Sequence, residues 1–487
     1  GLIFMPPQLS NRLHPDRKFY PERIVQFGGG NFLRGFVDWV VDVLNAETDF
    51  ASGVVIVKAT PGTYDELDEQ NCLFTIYLHG IQSKELVEET RLISAVQRVV
   101  YPYRDFAAYL ALARQPEVRF IFSNTTESGI VFSVDDALAD EPPATFPAKL
   151  TRFLYERFLH FGGSPDKGCI IIPTELIVDN ATRLREIMLE YASLWRLEPE
   201  FTAWVKARNV FCNTLVDRIV SGFPQADAER LFAQMGYEDR LLAAGESYHS
   251  WIIEAEPSLL GEFPVDQART PLNVSVVDDA APYRTIKVRL LNGAHTAMTP
   301  LGILLGMDSV REAMEDEALA SFIRDLIFQE VIPSVTEVPR GELESFAGDV
   351  FDRFRNPRIH HRLLTIALNS SSKVKERILP SMLGYLDETS QLPEGLVLAF
   401  AAFIRLYRGE WRGASIPLND DAEVLSWFKQ QWATADSTEA LAQAVLGNEA
   451  LWDRDLTGAP GLAETVSQNL REIEEGRLSA LIGRAYE

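Results

Sequence analysis

The chain has 487 residues, 46% hydrophobic and 24% charged, which is enough for a large core. Single cores stop growing near ~250–300 residues, so two domains are expected. A balance of 70 acidic against 46 basic residues gives a net charge of −24. That charge argues against wholesale binding of nucleic acid or acidic membrane, and any anionic substrate must meet a local basic pocket.

No stretch approaches the ~18 consecutive apolar residues of a membrane span. The opening GLIFMPPQLSNRLHPDRKFYPERI lacks the basic region and small-residue cleavage site of a signal peptide, so the cytoplasm is the expected compartment. Cys72, Cys169 and Cys212 lie far apart, with no CxxC and no clustered histidines. They read as buried thiols rather than a disulfide framework or a zinc site, and no metal is expected.

In chain order, the first informative stretch is IVQFGGGNFLRGFVDW, Ile24 to Trp39. An apolar run meets Gly28, Gly29 and Gly30 and passes at once into helical spacing through Asn31, Phe32, Leu33 and Arg34. A strand running through glycines into a helix lets the backbone approach a pyrophosphate, whose charge is favoured by the free N–H groups of a helix start. The match to the dinucleotide fingerprint is imperfect, because Leu33 stands at the third glycine position and Gly35 comes two residues later. Further apolar runs follow at GVVIV (53–57), VRFIFSN (118–124) and GCIIIP (168–173), separated by helical stretches. This alternation predicts a doubly wound α/β domain. At the end of the second run, where NAD sites usually place an acidic residue, the chain has Lys58, with Asp65, Glu66 and Asp68 further on. Lys58 suits a 2′-phosphate or a solvated surface position, so NAD and NADP both stay open on these residues.

Near residue 280 the character changes. Strand-like runs vanish, and long segments with three- and four-residue apolar spacing take over, such as EALASFIRDLIFQEVI and EGLVLAFAAFIRLYRG. The expected division is a Rossmann-like domain over 20–280 and an α-helical substrate domain over 281–487. The second half opens on TIKVRLLNGAHTAMTPLGILLG, a half-buried helix by its spacing, interrupted by Lys287, Asn292 and His295. At ~100° per residue, Asn292 lies about 140° and His295 about 80° round from Lys287, so the three can share one side. Gly293 leaves room for something to approach. Structure alone would make Asn292 and His295 satisfied polar groups and Lys287 a snorkelling lysine. The basic stretch Arg353 to Arg362, with His360 and His361, reads more readily as a solvated helix face than as a cleft lining. No GxSxG, HExxH or Walker A pattern is present.

The pattern of Lys287, five residues on Asn292, three further His295, resembles the signature of the polyol-specific long-chain dehydrogenases typified by mannitol 2-dehydrogenase. NTTESG (124–129), NTLVDRI (213–219) and NPRIHHRLLTIALNSSSK (356–373) agree, so the resemblance covers most of the chain. YPERIVQFGGGNFLRGFVDW, FSNTTESGI, IIPTELI and FPAKLTRFLYERF resemble the tagaturonate reductase branch of that family. The resemblance implies a metal-independent dehydrogenase with nicotinamide, NAD ahead of NADP, on the first domain. The turn from Phe27 through Arg34, with Lys58 and Asn124, would hold the cofactor. Lys287 would exchange the proton, a role that asks for burial or nearby positive charge because an ordinary lysine is a poor base near neutrality. Asn292 and His295 would hydrogen-bond the reacting oxygen. Lys373 matches another lysine of the family's site, able to tune Lys287 and to hold an anionic substrate.

One departure stands out. Where mannitol 2-dehydrogenase relatives carry an asparagine after an acidic residue, this chain has Glu175 followed by Leu176. Glu175 reads equally as structural or functional. The departure puts mannitol oxidation in doubt and favours a sugar-acid substrate, giving altronate and tagaturonate as the expected pair. Fructuronate reduction, mannitol oxidation or a nicotinamide-binding redox sensor without turnover are the alternatives. A base such as Lys287 is not something a sensor needs. No nucleic acid, membrane or partner chain is assigned, and a monomer is compatible with the family.

Overall fold

The computed structural model describes residues 5–126 and 128–487, and Glu127 of NTTESG lies outside the described residues. The chain divides into two compact units. One runs to Ala280 apart from Gly80–Leu86, and the other takes Gly80–Leu86 and Ala281–Glu487.

In the first unit the four apolar runs become the strands β1 (Glu22–Phe27), β2 (Gly53–Val57), β6 (Phe120–Ser123) and β7 (Ile170–Pro173), and β5 (Val96–Val100) and β8 (Val210–Phe211), which no apolar run marks, extend the sheet at its edges. They form one parallel sheet in the order β5-β2-β1-β6-β7-β8. Both faces are covered, which is why the strands are continuously apolar. Ile24, Val54, Ile56, Phe120, Phe122, Ile170 and Ile172 enter one core, and the alternate residues Val25, Phe27, Val55, Val57, Ile121 and Ile171 enter the other. Gln26 is a buried polar exception in β1: its Nε2 donates to Gly28 O at 3.0 Å and to Asp38 Oδ2 at 3.1 Å. From β1 the order runs one way to β2 and β5 and the other way to β6, β7 and β8. The switch point of the sheet therefore lies between the carboxyl ends of β1 and β6, where ligands of open α/β sheets bind.

Two further sheets lie outside the apolar alternation. A hairpin of β3 (Phe74–Gln82) and β4 (Glu85–Ile93) joins β10 (Val220–Gly222) and β11 (Ala243–Glu246), in the order β10-β11-β3-β4. β9 (Thr214–Asp217), β12 (Ser250–Glu254) and β13 (Val274–Val277) make a three-stranded sheet. The reading by apolar runs misses β4 because most of ELVEETRLI is exposed and Glu85, Glu88, Glu89 and Arg91 interrupt its apolar residues.

Beyond Gly80–Leu86 of the β3–β4 hairpin, the second unit is helical apart from a two-stranded hairpin, β14 (Glu410–Trp411) with β15 (Ala414–Ser415), so strands do not vanish entirely after residue 280. One core serves the whole unit. Its centre is the helix Glu394–Leu406, buried from Gly395 to Leu406 on every side, as an all-round apolar helix must be. Against it packs the helix Gly293–Leu304, which carries the candidate site at its start. No helix among the described residues is long and apolar enough to cross a membrane. Cys72, Cys169 and Cys212 are free and buried.

His249 shows what burial does to a titratable group here. Its Nε2 accepts from the Asn273 N–H at 2.9 Å, its Nδ1 lies 3.2 Å from Ser247 O, and its ring packs on Trp39 and Phe36. Burial, with the Arg218 charge beside it, pushes its pKa from 6.5 down to about 3. Below pH 6.5 the unfolded chain takes up a proton that the folded one refuses, so stability is full above 6.5 and falls as the pH drops. Relative to His249→Gln, which does not titrate, the parent should lose about 1.4 kcal/mol per pH unit through the lower part of that window. Urea unfolding of both proteins at pH 7, 5.5 and 4 checks this, and a gap between them that stays constant with pH would contradict it.

Candidate active site

At the switch point, β1 ends at Phe27 and the chain enters α1 (Asn31–Gly35) and then α2 (Val37–Glu47). Gly28 sits at φ +122°, a conformation reserved for glycine, and its Cβ position lies 3.1 Å from the Leu33 side chain and 3.4 Å from Asn124 O. Its N–H donates to Val57 O at 3.1 Å, and the Asn124 N–H donates to Phe27 O at 3.3 Å, so the turn is bound to the strands on both sides. Gly29 presses against Tyr64, whose hydroxyl accepts the Gly29 N–H at 3.2 Å. Gly30 is different: a Cβ there would meet nothing within 4 Å. It precedes a helix start that no side chain caps, so the first N–H groups of α1 have no intrahelical partner. This open, uncapped glycine turn at the switch point fits a dinucleotide pyrophosphate.

The side chains expected to line this turn divide into two sets. The side chains of Phe27, Leu33 and Arg34 are buried and support the turn from within the fold, leaving its backbone to face outward. The Arg34 guanidinium donates to Gly29 O at 3.0 Å, Asn31 Oδ1 at 2.7 Å and Leu241 O at 2.8 Å. Asn31 is exposed and Phe32 half-buried. Gly35, two residues beyond the fingerprint position, supplies the close helix-to-strand contact: its Cβ would stand 2.9 Å from Val220 of β10. Arg218 of NTLVDRI binds Gly35 O at 2.9 Å and stacks on Trp39, so that motif also holds the turn. Lys58 lies over the Tyr64 ring and donates to Thr60 Oγ1 at 2.7 Å, Pro61 O at 3.0 Å and Thr60 O at 3.4 Å.

Glu175 is structural. Its buried carboxylate accepts from Ser123 Oγ at 3.1 Å and from Thr125 N and Oγ1 at 3.0 and 3.1 Å, pinning the loop after β6. Burial raises its pKa. Leu176, next to it, is 61% exposed.

In the second unit, Lys287 to Asn292 form not an α-helix but a π segment between the helices Ala281–Ile286 and Gly293–Leu304. The i→i+5 bonding of a π turn widens it, so Asn292 comes round close to one turn after Lys287 instead of standing 140° away as an α-helix would place it. Lys287, Asn292 and His295 are each half-buried. Among the described residues none of the three makes a side-chain hydrogen bond to the protein, unlike satisfied structural groups.

The His295 ring lies 4.5 Å from Phe354 and 5.0 Å from His361 between ring centres. Burial, reinforced by His361, Arg353, Arg377 and Lys373, holds its pKa well below 6.5, so it is a neutral imidazole at physiological pH. Lys373 donates to Ile366 O at 2.7 Å from the helix Ser370–Arg377, and burial with the Arg377 charge lowers its pKa. Gly293 does admit an approach: the Arg377 carbonyl stands 3.3 Å from its Cβ position. The basic stretch is thus not wholly a solvated face. Arg355, Arg358, His360 and Arg362 are exposed, but Arg353 and Phe354 are buried and His361 turns onto His295.

Residues 22–267 match the mannitol dehydrogenase Rossmann domain, and residues 279–474 match the mannitol dehydrogenase C-terminal domain. The chain belongs to the mannitol dehydrogenase family. An altronate oxidoreductase of Pectobacterium carotovorum subsp. carotovorum (strain PC1) is 45% identical over 485 residues, 97% of this chain and 99% of the relative. One from Klebsiella pneumoniae (strain 342) is 46% identical over 460 residues, 93% and 95% of the two chains. Among solved structures, a D-sorbitol dehydrogenase in substrate-free form superposes with a TM-score of 0.79 at 23% identity, covering 98% of this chain and 100% of that one. Mannitol 2-dehydrogenase of Pseudomonas fluorescens, in a ternary complex with NAD and D-mannitol, gives 0.66 at 21% identity and covers 98% of both chains. As a member of the mannitol dehydrogenase family, the protein is a dehydrogenase acting on a CH–OH group.

The glycine turn separates two effects that sequence alone merges. Gly28→Ala should cost about 1–3 kcal/mol of stability, because alanine at that φ is strained. Gly30→Val should leave thermal unfolding within about 0.5 kcal/mol of the parent, since a Cβ there has nothing within 4 Å, while dinucleotide binding is lost. Thermal melts with calorimetric titration of NADH measure both, and unchanged NADH affinity in Gly30→Val would reduce Gly30 to an ordinary turn residue.

Proposed function

We propose that the protein interconverts D-altronate and D-tagaturonate, with NAD accepting the hydride in one direction and NADH supplying it in the other. The observation that carries this reading is the 45% identity to an altronate oxidoreductase over 97% of the chain. The residues agree with it. Leu176, three residues beyond β7, presents an exposed side chain that can make no hydrogen bond, where the resemblance to mannitol 2-dehydrogenase would lead one to expect an asparagine. For the cofactor, all three donors of the Lys58 ammonium are directed at Thr60 and Pro61, which leaves none for a 2′-phosphate and favours NAD.

In this reading the bound nicotinamide supplies only the hydride chemistry, and proton movement falls to the second unit. Lys287 takes the hydroxyl proton during oxidation and returns it during reduction. Its ammonium or amine is free to do so, because it makes no hydrogen bond to another described residue. Asn292, brought round by the π turn, and neutral His295 direct hydrogen bonds to the reacting oxygen. A neutral imidazole can donate one without adding a charge of its own. Phe354 and His361 pack against the ring, and burial, reinforced by the cations nearby, keeps it neutral.

Lys287→Ala should lower turnover roughly 10²- to 10⁴-fold with NADH affinity nearly unchanged, because the glycine turn lies in the other unit. Turnover near that of the parent would remove Lys287 from the mechanism. With the unmodified protein, NADH oxidation followed by absorbance should be fast with tagaturonate, slower with fructuronate and barely detectable with fructose. Fructose reduced as efficiently as tagaturonate would overturn the sugar-acid reading.

A further inference from the structure

Resting on the sugar-acid reading, we propose that Arg377 is the residue that recognises the substrate carboxylate, its guanidinium pairing with both oxygens while Lys373 supplies a second positive charge.

The argument begins with how this protein treats its other sequestered arginines. Arg34 gives its donors to three acceptors. Arg157 reaches the carbonyls of Ala113, Gln115, Val118 and Lys167. Arg289 binds Ser334 and Ser381, and Arg405 pairs with Glu410 and Glu474. In each case a guanidinium removed from water finds oxygen atoms to replace it, as the cost of burying a charge demands. Arg377 is half-buried, yet among the described residues its only hydrogen bond is a long one, NH1 to Thr296 Oγ1 at 3.4 Å, with no carboxylate within 4.0 Å. Most of its five N–H donors are therefore left for something outside the chain, in the planar fork that matches a carboxylate.

Its position is equally specific. Thr296 is the neighbour of His295 on the helix Gly293–Leu304, so the guanidinium is directed at the residue that follows the proposed oxygen-binding histidine. The backbone is fixed too, because the Arg377 carbonyl lies 3.3 Å from the Cβ position of Gly293, directly after Asn292. Glycine at that point sets the spacing between the guanidinium and the reacting groups. Lys373 stands one helical turn before Arg377 and spends one donor on Ile366 O, leaving two. A six-carbon keto acid has its carbonyl and carboxylate near opposite ends of a short chain, so an anion site one residue beyond the oxygen-binding group suits it. A neutral ketose would leave the same guanidinium unpaired, which turns an attraction for acids into a penalty for sugars.

The test uses the full-length protein with NADH and measures, for the parent, Arg377→Met and Arg377→Lys, the ratio of kcat/KM for tagaturonate to that for the neutral ketose tagatose. Arg377→Met should lower this ratio 10- to 100-fold, chiefly through KM for the acid. Arg377→Lys should recover part of it, since charge is kept but the two-point pairing is lost. A readout independent of turnover is competition by D-altronate against altritol, whose preference for the acid should collapse in the same order. A parent that prefers the acid while Arg377→Met keeps that preference overturns the proposal and leaves the sugar-acid reading standing. A parent that shows no preference for the acid overturns both. Should Arg377→Met not fold, Arg377→Lys decides alone: an acid preference equal to that of the parent contradicts the two-point pairing.

Discussion

The chain must leave β1 at Phe27 and begin a helix at Asn31, and the backbone geometry of that short passage governs the whole first unit. Gly28 at φ +122° makes the reversal, and no side chain fits between it, Leu33 and Asn124. Because the strand that follows β1 lies on one side of the β1–β6 pair and the strand that follows β6 lies on the other, the turn sits at the switch point where open sheets form a crevice. Everything nearby serves to hold it. Arg34 and Arg218 bind backbone carbonyls on either side of α1, Tyr64 takes the Gly29 N–H, and Glu175 secures the loop after β6. Both arginines are thus internal braces, and the surface they support is made of backbone.

The second unit meets the opposite requirement. Its site needs side chains that are held in place but not satisfied, within a core that otherwise leaves few polar groups without partners. The apolar helices supply the rigidity: the helix Gly293–Leu304 is buried along most of its length against Glu394–Leu406. The half-buried polar side chains around its start can therefore be precise without being hydrogen-bonded. Positive charge gathers there in a protein of net charge −24, so an approaching acid meets attraction at this place and repulsion over most of the remaining surface.

Much of this was legible in the sequence, and the pieces that were not share a cause. The four apolar runs, the glycines and the change of character near residue 280 are local signals, set by side-chain period and by the φ that only glycine tolerates. The spacing of Lys287, Asn292 and His295 was readable as a pattern, but its geometry was not, since nothing in TIKVRLLNGAH announces a π turn. Tyr64 escapes notice because its bond to Gly29 spans 35 residues, and Arg218 because its bond to Gly35 spans 183. Phe354, His361 and Arg377 join His295 only through tertiary packing. Charged residues in a basic stretch look alike until the fold decides which of them turn inward.

The π segment carries an implication for how the chain can change. Its wide turn amounts to one residue more than an α-helix would need to cover the same rise. Deleting a single residue between Lys287 and Asn292 would let ordinary α-helical bonding resume with Asn292 still close to one turn after Lys287, because four residues at ~100° each also make about one turn. The same deletion between Asn292 and His295, where the helix is already regular, has no wide turn to absorb it and would swing His295 by about 100° away from the Phe354 and His361 rings. The π segment is thus the place where this helix can gain or lose a residue and keep the face that meets the core, whereas the spacing beyond Asn292 has no such slack.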